Sequence, residues 1–159
     1  MEIVILNSYD EVCREVADRI ILLVRRKPNA VLGLATGKTM LGVYRYLVKA
    51  YEEGLVDFSR VTTFNLDEYL GVLPVDPESF HYYMEENFFK HVNLKKENIF
   101  IPSPFPEDLQ EECENYEKKI KEKGGIDLQL LGIGRDGHIG FNEPSSSLTS
   151  RTRVKTLTE

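Results

Sequence analysis

Cysteine is scarce. Cys13 and Cys113 are the only two in 159 residues, isolated and far apart, which leaves a disulfide framework or a zinc knuckle without its ligands. Basic charge is also short: 20 Lys and Arg face 26 Asp and Glu, for a net charge of -6. The one basic cluster, Arg25-Arg26-Lys27, reads as a solvated helix end, so a general nucleic-acid binder is excluded as a class. No apolar run approaches the roughly 20 residues of a membrane span, and the longest, Ile20 to Val24, sits inside a helical pattern. The start, Met1-Glu2-Ile3-Val4, lacks the basic opening of a signal peptide, and a cytoplasmic location is expected.

What is present is ordinary globular composition, 42% hydrophobic and 29% charged, in a length that suits one domain over residues 1–159. Short apolar runs alternate with amphipathic stretches. Strands are expected at Glu2–Leu6, Ala30–Ala35, Arg60–Asn65, Asn98–Ile101 and Ile126–Ile133. A first helix follows Ser8, which has Glu11 three positions on in a capping-box pattern, and it stops before Pro28. Further helices are expected from Leu41 to Gly54, from Ser79 to His91 and from Asp108 to Lys123, where Gly124-Gly125 follows. Regular alternation of strand and helix predicts an α/β fold: a doubly wound, mainly parallel sheet with helices on both faces, Rossmann-like. Arg151 to Thr158 begins a strand-like alternation just before the chain stops, so truncation at the C-terminus is expected.

In such sheets ligands sit at the carboxyl ends of the strands. Three strand ends carry unusual polar sequence: Thr36-Gly37-Lys38-Thr39, Asn65-Leu66-Asp67-Glu68-Tyr69, and Gly132 through Pro144. The first imitates a Walker A motif, but only three residues separate Gly33 from Gly37, so the spacing fails. A strand-to-helix turn with Thr36, Gly37, Lys38 and Thr39 still suits an anion at a helix N-terminus, the phosphate of a small metabolite; the bland alternative is a tight turn. Gly132-Ile133-Gly134-Arg135-Asp136-Gly137 satisfies the dinucleotide fingerprint, yet Pro144 and three serines follow where a helix should run.

That third loop also holds Asp136, His138 and Glu143 within eight positions. A histidine flanked by carboxylates makes an oriented proton shuttle. A metal would need a further histidine or cysteine nearby, and none is present; His81 and His91 read as surface or core packing on a helix. Asp67, at the end of an apolar strand, is a lone carboxylate suited to taking a proton beside a carbonyl. The residues therefore point to acid–base chemistry on a small phosphorylated substrate without a cofactor.

Phe64-Asn65-Leu66-Asp67-Glu68-Tyr69 and the run from Gly134 to Pro144, with Gly33–Gly37 and Ser150–Thr156, closely resemble the glucosamine-6-phosphate deaminase family. The resemblance implies isomerisation and deamination of an amino sugar phosphate, giving fructose 6-phosphate and ammonia, with no metal or organic cofactor. It implies that His138 opens the sugar ring, that Asp136 and Glu143 hold and tune it, that Asp67 takes the C2 proton, and that Thr36–Thr39 hold the phosphate. Lys38 departs from the small residue usual there. Relatives include allosterically activated hexamers, which raises a homo-oligomer as an assembly and matches Ser146, Arg153, Lys155 and Thr156 to an activator site. Two other functions compete: a sugar-phosphate sensor without turnover, and a hydrolase like 6-phosphogluconolactonase, which shares the Asp-Gly-His core but lacks the Phe141-Asn142-Glu143-Pro144 run.

Overall fold

A computed structural model describes residues 1–147 and 149–157. In chain order these form α1 (Tyr9–Arg26), β1 (Val31–Leu34), α2 (Leu41–Glu52), β2 (Thr62–Asn65), α3 (Phe80–Asn87), β3 (Ile99–Phe100), α4 (Leu109–Glu122) and β4 (Leu128–Gln129). The strands pair in the order β3-β2-β1-β4, all parallel. From β1 the chain winds outward through β2 to β3, then returns to place β4 on the other side of β1. The winding direction therefore reverses between β1 and β4, and the crevice beyond their carboxyl ends is where such a sheet takes a ligand.

Side-chain alternation sorts the strands onto two faces. Leu32, Leu34 and Val61 join Ile20 of α1, Tyr44 and Leu47 of α2 and Met84 of α3 in one large core. Val31 and Phe64 face the other way and pack with Tyr116 of α4. Helices on both faces fit the doubly wound expectation. The predicted cap of α1 is present with a shift: Ser8 Oγ accepts from the Glu11 N–H at 3.1 Å, while the Glu11 carboxylate accepts from Asn7 rather than Ser8, at 2.9 Å. Arg25 and Arg26 lie in the last turn of α1, and Lys27 pairs with Asp127 at 2.7 Å, so the basic cluster is a helix end as read.

Three expected strands differ. Glu2–Leu6 forms none: Met1, Ile3 and Ile5 are exposed, and Glu2 pairs instead with Arg19 at 2.7 Å. β4 keeps only Leu128–Gln129 of the expected Ile126–Ile133, and Leu131 and Ile133 are exposed beyond it. The physical reason is shared. A strand needs a neighbour to complete its ladder, and among the described residues neither segment has a strand on its open side. Residues 151–157 are likewise not a strand, because Thr152 spends its N–H and its hydroxyl on Glu117 of α4, both at 2.9 Å. Thr158, where that expected strand ended, lies outside the described residues. The helix expected from Ser79 to His91 stops at Asn87, with a tighter turn over Phe89–His91.

Candidate active site

The loop after β1 enters α2 through a short 3₁₀ turn, Lys38–Met40. Gly37 has φ +103°, a left-handed conformation that favours glycine, which explains the residue without a Walker motif. Two phenols from other helices grip the carbonyls of this turn. Tyr83 of α3 donates to the Gly37 carbonyl at 2.7 Å, and Tyr9 of α1 donates to that of Thr39 at 3.0 Å while accepting from the Gly42 N–H at 3.0 Å. Gly37, Lys38 and Thr39 are exposed and Thr36 is half-buried. The N–H groups that open a helix have no intrahelical acceptor, so this turn offers donors to an anion.

The loop after β2 carries Asp67 into a half-buried place. Burial pushes its carboxyl up to about 6; the Phe141 N–H works downward and the charge of Glu68 upward. The third loop makes this shelter. A Cβ on Gly140 would lie 2.8 Å from Asp67 Oδ2 and crowd Leu66, so only glycine lets the loop come so near. The Phe141 ring then packs at a tilt against Tyr69 and Phe80, with centroids 4.9 and 5.6 Å away.

Asp136 and His138 occupy a different setting. His138 Nδ1 lies 2.7 Å from Asp136 Oδ1, and the His138 backbone N–H donates to the same oxygen at 3.3 Å. Both side chains are about half exposed, at 51% and 46%. Those bonds from His138, its backbone N–H first, hold the Asp136 carboxyl below the usual carboxylate range. With Nδ1 engaged, Nε2 is the ring atom left for a substrate. A Cβ on Gly134 would run into the His138 ring, and the Gly134 N–H donates to the His138 carbonyl at 2.8 Å. The glycines of the dinucleotide-like motif thus make room for an imidazole, and residues 132–147 hold no helix.

The three loops meet as the parallel sheet predicted. Met40 lies against Gly132, Gly140 against Asp67, and Tyr83 ties α3 to Gly37. Asp67 and Glu143 line a cavity of about 620 Å³, together with Tyr116 of α4 and Arg153. Asp136, His138 and the Thr36–Thr39 turn do not line that cavity, and among the described residues no hydrogen bond joins Glu143 to His138. Of the residues matched to an activator site, Ser146, Arg153 and Lys155 line the cavity and Thr156 does not. Arg153 donates to the Asn142 side chain at 2.9 Å. No described helix is long and apolar enough to cross a membrane.

Sequence reasoning missed Tyr9, Tyr83 and Glu68, and it read His81 as packing. His81 Nδ1 is in fact 2.6 Å from the buried Glu68 carboxylate. The available signal was the adjacency of Glu68 to Asp67; nothing in the spacing marked the tyrosines.

The family model for glucosamine-6-phosphate isomerases/6-phosphogluconolactonase matches residues 7–152. Glucosamine-6-phosphate deaminase of Thermoanaerobacter sp. (strain X514) is 54% identical over 159 residues, all of this chain and 63% of that protein. The deaminase of Clostridioides difficile (strain 630) is 48% identical, over all of this chain and 64% of that protein. The chain thus spans a little under two thirds of the length of these curated relatives. A solved monomeric glucosamine-6-phosphate deaminase superposes with a TM-score of 0.96 at 45% identity, covering all of this chain and 66% of its own. The 6-phosphogluconolactonase of Thermotoga maritima shares the fold, with a TM-score of 0.70 at 24% identity over 85% of this chain and 61% of that one.

Proposed function

This chain belongs to the family of glucosamine-6-phosphate isomerases and 6-phosphogluconolactonases, and from that premise we propose that the protein it comes from is a glucosamine-6-phosphate deaminase. Water and glucosamine 6-phosphate become fructose 6-phosphate and ammonia. The observation that carries this reading is Asp67: a half-buried carboxylate just after β2, pushed up to about 6 by burial, with Gly140 of the third loop against it. Such a group is a base near neutral pH and can take the C2 proton of the open sugar and deliver it to C1. A lactonase, which hydrolyses an ester, has no such proton to move.

In this proposal His138, oriented by Asp136, takes the O1 hydroxyl proton on Nε2 and returns it to the ring oxygen as the C1–O5 bond breaks and the pyranose opens, and Glu143 tunes that exchange. The Thr36-Gly37-Lys38-Thr39 turn receives the phosphate on its N–H groups and hydroxyls, with the Lys38 ammonium as an added charge. A small amino sugar phosphate as ligand, a cytoplasmic location, homo-oligomer formation and the activator residues Ser146, Arg153, Lys155 and Thr156 belong to the same proposal.

The test is ammonia release from glucosamine 6-phosphate by the full-length gene product, with fructose 6-phosphate counted alongside. Equal yields of the two are expected. Hydrolysis of 6-phosphogluconolactone without ammonia would move the protein to the lactonases, and tight binding without turnover would make it a sensor.

A further inference from the structure

Glu68 is the one charged residue buried in the described chain, and the chemistry above gives it no task. Its side chain is 1% exposed. Both oxygens are fully engaged: Oε1 accepts from the Tyr69 and Phe80 N–H groups at 2.8 and 3.0 Å, and Oε2 accepts from the His81 N–H at 2.9 Å and meets His81 Nδ1 at 2.6 Å. Burial pushes its carboxyl up, but these bonds outweigh burial and hold it below the usual range, so it is ionised near neutral pH. As a helix cap it complements Ser79, which accepts from the Tyr82 N–H at 3.0 Å and leaves the Phe80 and His81 N–H groups to Glu68. A neutral acceptor could also serve N–H groups, so the choice of a buried charge one residue from Asp67 calls for another explanation.

We propose that Glu68 is a positioning residue for Asp67: it fastens the loop after β2 to the first turn of α3 and sets a permanent negative charge beside the base, with His81 holding it there. The proposal rests on Asp67 being the base. The groups around the pair are His81 of α3, Glu78 just before it, Tyr69 of the same loop, Tyr116 of α4 and the Phe141 N–H of the third loop. Among these, Glu68 is the charge that acts directly on Asp67 in the direction of a stronger base.

The experiment follows the Asp67 carboxyl by NMR in full-length protein labelled with ¹³C at aspartate, across pH 4 to 8. In Glu68→Gln the Asp67 midpoint is expected to fall by about half a pH unit, roughly a threefold loss of proton affinity. The acid limb of kcat/KM for ammonia release should move down with it. His81→Phe keeps the carboxylate and removes one bond, so its midpoint should not fall. An unmoved midpoint in Glu68→Gln overturns the proposal. So does an equal fall in both variants, which would mean loosening of the loop rather than loss of charge. If Glu68→Gln does not fold, a fall in His81→Phe alone overturns it and a held midpoint supports it. The NMR readout needs no turnover: an inert protein whose Asp67 still answers to Glu68 would sink the deaminase reading and leave the coupling intact.

Discussion

Asp67 and Asp136 stand on neighbouring loops of one sheet edge in opposite surroundings. The loop after β2 is held at several points: Gly140 lies against Asp67, Phe141 packs on Tyr69, and Glu68 ties the loop to α3. The loop after β4 holds its carboxylate half in solvent and bonds it to the histidine two residues on. Burial raises the first carboxyl and hydrogen bonding lowers the second. One residue type thereby has its acidity moved in opposite directions by its surroundings.

The sharpest way to break this contrast is Asp67→Asn. Loss of the proton acceptor should lower kcat by about 10²- to 10⁴-fold in the ammonia assay. The same substitution should stabilise the fold at pH 8. A carboxyl whose folded value is raised from 3.8 to about 6 favours the folded state only while it is protonated. Its stabilising share is complete below the unfolded value and is lost as pH rises through about 6. At pH 8 the buried charge is a cost, up to about 3 kcal/mol for a shift of that size. The thermal midpoint of the variant should therefore exceed the wild type at pH 8, and the gap should close toward pH 4. A variant that loses activity with no such pH-dependent gain would mean that Asp67 is not the sheltered group drawn here.

The wild type gives the second expectation. Only ionised Asp67 accepts a proton, so kcat/KM should fall as pH drops through about 6, approaching tenfold per unit well below it. Asp136→Asn is milder. It keeps an oxygen for His138 but removes the negative charge that fixes and supports the imidazole, so kcat should fall on the order of tenfold, less than for a group that transfers the proton itself. Because Asp136 is exposed, its thermal midpoint should stay within a degree or so of wild type at every pH, unlike Asp67→Asn.

The sequence revealed most of what local chemistry decides. Ser8 caps α1 as its position implies, the helices expected to begin at Ser79 and Asp108 do begin there with those residues as caps, and the apolar runs at β1 and β2 are buried on both faces. The convergence of three loops followed from parallel strands alone. Strand formation at Glu2–Leu6 and along the rest of Ile126–Ile133 was not legible, because it depends on a neighbour rather than on the segment. The bonds from Tyr83 to Gly37 and from His81 to Glu68 were also hidden: they join positions 46 and 13 apart, beyond the reach of any periodicity.

Tyr83→Phe turns one of those hidden bonds into the smallest expected effect. The hydroxyl donates at 2.7 Å to the Gly37 carbonyl, and the ring lies at the edge of Tyr44, so phenylalanine keeps the packing and loses only the bond. A neutral hydrogen bond contributes about 1 kcal/mol, which is roughly a fivefold change in an equilibrium constant. If the turn after β1 holds the phosphate, that change should appear as a rise in KM at nearly constant kcat, since Tyr83 shapes the turn and not the base. A fall in kcat at constant KM would mean that α3 acts through the loop of Asp67 instead, and that the two loops, so unlike the histidine loop, are held by α3 as one unit.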